Sequence, residues 1–424
     1  MKISKPVIFT VALITITFNL WILSKDSLSI ISLDPLKSLS QIAALIGVVL
    51  LGYELLLISR AKWLEKLIGP LDKVYKYHRH LGIASVIAIT THASTLILGA
   101  LPNTLLAKAY IIPNLANKPY SAGIVGIYLM LTTVAVSLYT KLPYHLWKLT
   151  HRILTLSTLF AAFHILTIGS DLANSFSLRL WIWGSLLIGV TSMIYKVFFY
   201  KAISQKFQYK ITSVETRGQV NILSMTPVSE KLAYEPGQFG YFTFHSEAVT
   251  GEEHPFSFAS QPDSEVLKIG VKNLGDFTKN LSKLEKGDLV EIRGGYGGFG
   301  KDLGIAHKEI WVAGGIGITP FLSITPRTET ILYYCTRNEN DAVFLPELHE
   351  MKARSDGKLT VIHHQSDTQG YFNPELVREE LNHDSEVCFR VCGPLPMMGG
   401  IKDFVVELSK PNVSLVHEDF SLLN

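Results

Sequence analysis

Through the first 200 positions apolar residues do not alternate with polar ones but run on. Six runs are long enough to cross a hydrocarbon layer, which takes roughly 20 residues of helix. They fall at about 7 to 24, 40 to 58, 81 to 101, 121 to 139, 153 to 170 and 178 to 199. The first follows Lys2 and Lys5 as a signal peptide would, but it is long and ends in Leu23-Ser24-Lys25 without a small-residue cleavage site. It reads as an uncleaved span. Beyond about residue 205 the pattern changes to short apolar runs broken by Gly, Pro, Asn and Asp, which predicts antiparallel β structure, a barrel, to about 300. From about 308 strands feed glycine-rich turns and helices, the pattern of a parallel α/β sheet. The expected fold is therefore multi-domain: an all-α six-helix transmembrane bundle (1–204), an antiparallel β-barrel (205–304) and an α/β parallel-sheet domain (305–424).

Composition divides at the same place. The 424 residues are 48% hydrophobic and only 18% charged, with mean hydropathy +0.26, which excludes a wholly soluble enzyme, a disordered chain and a disulfide-stapled secreted module. The formal charge of +3 hides two unlike halves: 17 Lys+Arg against 6 Asp+Glu up to residue 200, and 22 against 30 after it. So small a net charge carries no message about nucleic acid, and no nucleic-acid or obligatory protein partner is expected.

Orientation follows from the basic residues. With the N-terminus inside, the cytoplasmic side collects Lys2, Lys5, Arg60, Lys62, Lys66, Lys73, Lys76, Arg79, Lys141, Lys148, Arg152 and Lys196. The outside keeps Lys25, Lys37, Lys108, Lys118 and Arg179. Twelve against five fits the positive-inside rule and returns the chain to the cytoplasm after six spans. The loop 59–79 also suits contact with anionic lipid. Cys335, Cys388 and Cys392 all lie in the second half with no CxxC or zinc spacing, as expected in a reducing cytosol. A multi-pass protein of the cell membrane with its soluble domains in the cytoplasm is the expectation.

Ionisable residues inside a bilayer are costly and mark function by default. His78 and His92 are 14 residues apart, about 21 Å along a helix and within about 40° of one face. His151 and His164 are 13 apart, about 20 Å, with an angle roughly 140° off, so they need a helix distortion or differently oriented side chains. The third and fifth spans run the same way, which puts His78 and His151 toward the cytoplasm and His92 and His164 deeper. Two levels of paired imidazoles are how two bis-histidine b-type haems stack across a membrane. Taken singly, each histidine has an ordinary structural reading as an interhelical or interfacial group.

In the second half, Gly314-Gly315-Ile316-Gly317-Ile318-Thr319-Pro320-Phe321 follows a strand and enters a helix with Pro near its start. That arrangement presents backbone N–H groups to a phosphate, although it is not a GxGxxG fingerprint and is also compatible with an ordinary tight turn. His254-Pro255-Phe256-Ser257-Phe258-Ala259-Ser260 puts an aromatic ring and hydroxyls on one strand, suited to a flavin and its pyrophosphate. Lys272, Gly275 and Thr278 offer a cation, a close backbone approach and a hydroxyl to the same diphosphate. Cys392-Gly393-Pro394-Leu395-Pro396-Met397-Met398 follows the strand 387–391, at the carboxyl end of a parallel sheet where such folds bind ligands. Arg337, just after the strand 331–335, stands where a 2′-phosphate is met by a guanidinium, or is a surface arginine.

The sequence HPFSFAS, GDFT, GGIGITPF, CGPLPMM and a final His417-Glu418-Asp419-Phe420 is similar to the flavin and nicotinamide domains of the ferredoxin-reductase-like superfamily. With the six spans and the two His-Arg-x12-His stretches ahead of it, the whole chain resembles the bacterial NADPH oxidase and ferric reductase-like transmembrane flavocytochrome b family. The resemblance implies that His78 and His151 ligate an inner haem, and His92 and His164 an outer one. His254, Pro255, Phe256, Ser257, Lys272, Gly275 and Thr278 would hold FAD. Gly314, Gly315, Gly317, Thr319 and Pro320 would take the dinucleotide phosphates, with Arg337 favouring NADPH over NADH. Cys392, Gly393, Pro394 and Met397 would flank the nicotinamide, and Phe420 would cover the flavin face. Cys392 and Phe420 are thus the implied catalytic pair. One departure is Gly294-Gly295, where the family usually shows Gly-Pro.

Electron counting then orders the cofactors, because a nicotinamide delivers two electrons together and b haems accept them singly, so a flavin stands between. The expected path runs from NAD(P)H through FAD and two b-type haems to an acceptor outside, dioxygen giving superoxide or a ferric chelate. A membrane-anchored flavoprotein without haem, serving a protein or quinone partner, is the competing reading. A nucleotide-regulated transporter fits less well, since His92 and His164 show no carboxylate partners in sequence.

Overall fold

The structure is a computed structural model that describes residues 5–418 apart from 140, 141, 143, 169, 170, 250, 303, 304 and 382–385. The chain divides into two compact units between Ile203 and Ser204. Among the described residues, the first contains six helices long and apolar enough to cross a membrane. They are α1 (Lys5–Leu23), α2 (Pro35–Leu57), α3 (Leu71–Ala100), α4 (Lys118–Tyr139), α5 (Tyr144–Thr167) and α6 (Phe176–Ile194). Local chemistry starts them. Asp34 accepts from Lys37 N ahead of Pro35, and Ser175 accepts from Leu178 N, each satisfying one of the amides that a helix start leaves unpaired.

The third and fifth helices begin about ten residues before the hydrophobic runs that predicted them. The polar segments 78–80 and 151–152 were cut off by hydropathy yet continue the same hydrogen-bonded helices. Between helices in lipid there is little hydrophobic drive, so small residues bring backbones together. A Cβ on Gly52 of α2 would stand 2.4 Å from Ser185 O of α6, and one on Gly189 would stand 2.8 Å from Gly52 Cα. Ser157 of α5 donates to Gly126 O of α4 at 2.8 Å, which ties that pair.

The second unit carries two sheets. The first is the expected antiparallel one: β1 (Phe207–Arg217), β2 (Val220–Pro227), β3 (Phe239–His245), β4 (Glu253–Ser257), β5 (Leu267–Lys272) and β6 (Leu289–Tyr296), in the order β4-β3-β6-β1-β2-β5. Its end strands meet where Ala259 N donates to Lys268 O at 2.8 Å, so the sheet curls into a barrel around Tyr209, Leu223, Phe242, Phe244, Ile269 and Ile292. Gly295 is the extra residue of a bulge in β6, with φ +78. Proline, fixed near φ −65°, cannot take that conformation, which accounts for the Gly-Gly at this point.

The second sheet is parallel: β7 (Lys308–Gly314), β8 (Glu329–Thr336), β9 (Leu359–Gln365), β10 (Val387–Cys392) and β11 (Val413–Glu418), in the order β11-β10-β7-β8-β9. Both faces are covered. Trp311, Leu332 and Tyr334 pack on one side and Ile310, Val312 and Phe389 on the other, as continuous apolar strands require. Inside it, Arg390 of β10 reaches Glu309 of β7 at 2.8 and 3.2 Å and donates to Phe299 O at 2.6 Å, and Trp311 Nε1 donates to the same carboxylate.

Removing one partner of a buried pair strands the other. Glu309→Ala should therefore cost about 3–5 kcal/mol and lower the unfolding midpoint of the detergent-purified protein. The double change Glu309→Leu with Arg390→Met should lie nearer the parent.

Candidate functional site

The four predicted histidines of the bundle come together across α3 and α5. The rings of His78 and His151 face each other with centroids 6.4 Å apart at 75°. Two metal–nitrogen bonds of about 2 Å plus two ring radii come to roughly the same separation. Trp147 stacks on His151 at 5.0 Å. At the second level, His164 is near enough to His92 to interact with it electrostatically. Helix α5 is continuous from Tyr144 to Thr167, so its 13-residue spacing is met by side-chain orientation, not by a break.

What orients these rings lies in α2 and α4. His92 Nδ1 is 3.0 Å from Ser40 O, and Ser40 Oγ donates to His92 O at 3.0 Å. His164 Nδ1 is 2.9 Å from Pro119 O, and Gly123 leaves room for its ring: a Cβ there would stand 2.9 Å from Nδ1. A carbonyl oxygen only accepts, so His164 carries its hydrogen on Nδ1 and keeps a lone pair on Nε2, while His92 Nδ1 meets the Ser40 hydroxyl at 2.9 Å as well as the Ser40 carbonyl. That is how histidines are held as metal ligands. Among the described residues no group of three His, Cys, Asp or Glu is placed to hold a metal, and each level offers two imidazoles.

Sequence reasoning missed the supporting residues Ser40, Glu54, Pro119 and Gly123. Glu54 had a signal, as a carboxylate inside an apolar span. The carbonyl of Pro119 had none.

In the second unit the predicted glycine turns meet. A Cβ on Gly314 would stand 2.5 Å from Pro394 Cδ and 3.0 Å from Met397 Cε. On Gly317 it would stand 2.3 Å from Cys392 O, and on Gly393 it would stand 2.5 Å from Met397 Cε. Strands β7 and β10 are neighbours in register, Ala313 beside Cys392, so both turns lie at the carboxyl ends of adjacent parallel strands. Gly315 has φ +53 and open space on its Cβ side. Thr319, Pro320 and Cys392 are buried, and the Thr319 hydroxyl donates to Ile316 O at 3.0 Å. Arg337 is exposed two residues beyond Cys335, the β8 residue paired with Gly314.

On the barrel, His254 and Pro255 are half-buried, and the His254 ring stacks on Phe277 at 3.7 Å. Phe256 is partly buried against Phe242 and Phe244, and Ser257 is buried. Lys272 ends β5. The Thr278 hydroxyl accepts from Leu274 N at 2.9 Å and Gly275 N at 3.0 Å, shaping a turn in which Gly275 is open. Phe420 and Asp419 lie outside the described residues. Burial pushes the Cys335 thiol up to about 12 and raises that of Cys388.

Comparison with known proteins gives three family matches in the order of the fold. The ferric reductase like transmembrane component matches residues 43–162, the FAD-binding domain residues 206–290 and the oxidoreductase NAD-binding domain residues 311–403. Relatives include sulfhydrogenase 2 subunit gamma of Pyrococcus furiosus, 31% identical over 129 residues, which are 28% of this chain and 43% of that protein. Another is the ferredoxin reductase component of 3-ketosteroid-9-alpha-monooxygenase of Rhodococcus rhodochrous, 26% identical over 223 residues, 50% of this chain and 63% of that one. The chain thus spans 43% and 63% of the length of these two relatives. A solved cytochrome P450 reductase from Amycolatopsis aligns with 51% of this chain and 70% of its own, at 21% identity and TM-score 0.42.

Six apolar helices followed by FAD- and NAD-binding domains define a membrane-spanning oxidoreductase. Its domain architecture is that of the ferric reductase-like and NADPH oxidase-type proteins.

Gly317→Ala sets a methyl against the backbone of Cys392. Such overpacking costs about 1–3 kcal/mol, so the KM for NAD(P)H should rise by roughly tenfold with membrane insertion unchanged; an unaltered KM would count against the strand-end site. Because a thiol, unlike a thiolate, does not attack alkylating reagents, Cys335 and Cys388 should resist iodoacetamide at pH 8 until the protein is denatured, as read by mass spectrometry.

Proposed function

We propose that the protein carries electrons from cytoplasmic NAD(P)H, by way of FAD and two b-type haems, to an acceptor on the other side of the membrane, either dioxygen or a ferric chelate. Bound together, these groups would convert a two-electron hydride donor into two single-electron transfers, the flavin serving both modes. The observation that carries the haem part is the pair of Nδ1 contacts to Ser40 O and Pro119 O, which leave Nε2 of His92 and His164 free to ligate. The facing of His78 and His151 supports the second site. Twelve basic residues against five support the cytoplasmic placement of the soluble unit.

The chain's own residues divide the work. His254, Pro255, Phe256 and Ser257 form a strand wall for FAD, with Lys272 as its cation and Gly275, held open by Thr278, as its close approach. Gly314, Gly315 and Gly317 offer backbone to the dinucleotide, while Thr319 and Pro320 fix their turn from within the core. Gly393, Pro394 and Met397 shape the nicotinamide end beside Cys392, and Phe420 covers the flavin until the nicotinamide arrives. Arg337 meets a 2′-phosphate, which favours NADPH. The apolar helices exclude water from the histidine levels.

The purified protein should show b-type absorption bands and two haems per chain; a spectrum without them would leave the flavoprotein reading in its place. His92→Leu should remove one haem while NAD(P)H still reduces the flavin. Arg337→Ala should raise the KM for NADPH roughly tenfold, the value of a charged hydrogen bond, and leave that for NADH unchanged. Dye reduction sensitive to superoxide dismutase identifies dioxygen as acceptor, and insensitive reduction of a ferric chelate identifies iron.

A further inference from the structure

Asn221 of β2 is fully buried in the barrel, in register with Thr216 of β1 on one side and Val271 of β5 on the other. A carboxamide in that position is costly unless its atoms are paired. They are: Asn221 Oδ1 accepts from the Thr216 hydroxyl at 2.9 Å, and Nδ2 donates to Asn273 Oδ1 at 2.8 Å and to Thr278 O at 3.3 Å. The last two partners belong to one turn, which leaves β5 at Lys272 and passes the open Gly275 on its way to Thr278.

The direction of these bonds is set from one end. Thr278 O is a carbonyl and only accepts, so the Asn221 atom that meets it is the amide nitrogen. The same nitrogen meets Asn273, so the Asn273 atom turned toward the barrel is its oxygen. The NH2 of Asn273 is left on the other side of its amide, where it makes no hydrogen bond among the described residues, and Asn273 is only half-buried. The Thr278 hydroxyl is in the opposite state. It accepts from Leu274 N and Gly275 N and donates to Gly275 O at 3.0 Å, which spends its one hydrogen and both lone pairs within the turn.

Resting on the FAD reading above, we infer that Asn273 is a further FAD-binding residue, whose NH2 donates to the diphosphate beside Lys272, and that Asn221 is the positioning residue that fixes which way this amide faces. The diphosphate is an anion and takes donors only, and a hydrogen bond to a charged oxygen is roughly twice as strong as one between neutral groups. A donor is therefore needed at this turn, and the one in Thr278 is already committed. Thr216 and Asn221 keep the acceptor end of Asn273 inward, so the ligand meets the donor end without the amide having to turn over.

The test is the FAD affinity of the full-length protein in detergent, stripped of flavin and titrated with FAD while flavin fluorescence is followed. Asn273→Ala should weaken binding roughly tenfold or more, the loss of a hydrogen bond to a charged group. Asn273→Asp keeps the oxygen that Asn221 needs but puts a negative charge where the donors were, so it should bind FAD more weakly than the Ala variant does. A purely structural Asn273 predicts the reverse, with Asp restoring what Ala loses. Asn221→Ala should also weaken binding, by a smaller factor in the Asn273→Ala background than in the parent; if it does not fold, the two changes at the half-buried Asn273 carry the test. An Asn273→Ala variant that binds FAD like the parent, an Asp variant that does so, or an Asn221 effect undiminished by Asn273→Ala would overturn the inference. Lys272→Ala separates it from the reading beneath it. If that variant is weakened and Asn273→Ala is not, only the inference fails; if both bind as the parent does, the diphosphate does not lie at this turn, and a parent that binds no FAD refutes the flavin site itself.

Discussion

The hydrogen on a histidine Nδ1 has no water to turn to inside a six-helix bundle, and much of the membrane unit follows from where it goes. In hydrocarbon each unpaired polar group is costly, so the imidazoles of α3 and α5 need partners from neighbouring helices. Ser40 O and Pro119 O supply two of them, and Glu54 lies at the third. Those contacts lock α2 against α3 and α4 against α5. Glycines at 47, 82, 123 and 126 let the backbones come close enough to make them.

The soluble unit solves a related problem with backbone alone. Gly314, Gly317 and Gly393 allow two strand ends to touch, which leaves no room for side chains between them and exposes the open backbone of Gly315 to whatever binds there. The buried Arg390–Glu309 pair ties the strands beneath that turn to the loop at Phe299. A rigid sheet thus carries a turn poor in side chains, the combination that dinucleotide phosphates need.

Much of this was legible from residue order. Hydropathy placed six helices but cut two of them short, because it scores solvent preference, and His78 and His151 are polar residues in helices that continue through them. The glycine motifs were legible because a backbone that must come close has few substitutes for glycine. Gly294-Gly295 departs from the family pattern, and the bulge at φ +78 gives that departure a conformational reason.

The sequence by itself determined the number of spans, the change to β structure and the motifs that bring FAD- and NAD-binding domains, since each is a local pattern of polarity, chain length or backbone freedom. Only the tertiary structure decided which atoms meet. That His164 turns to a carbonyl 45 residues away, that Glu54 sits in a notch made by Gly82, and that Cys392 packs on Gly317 depend on helix register and strand order. No local pattern encodes those, because they arise from close packing between segments far apart in the chain.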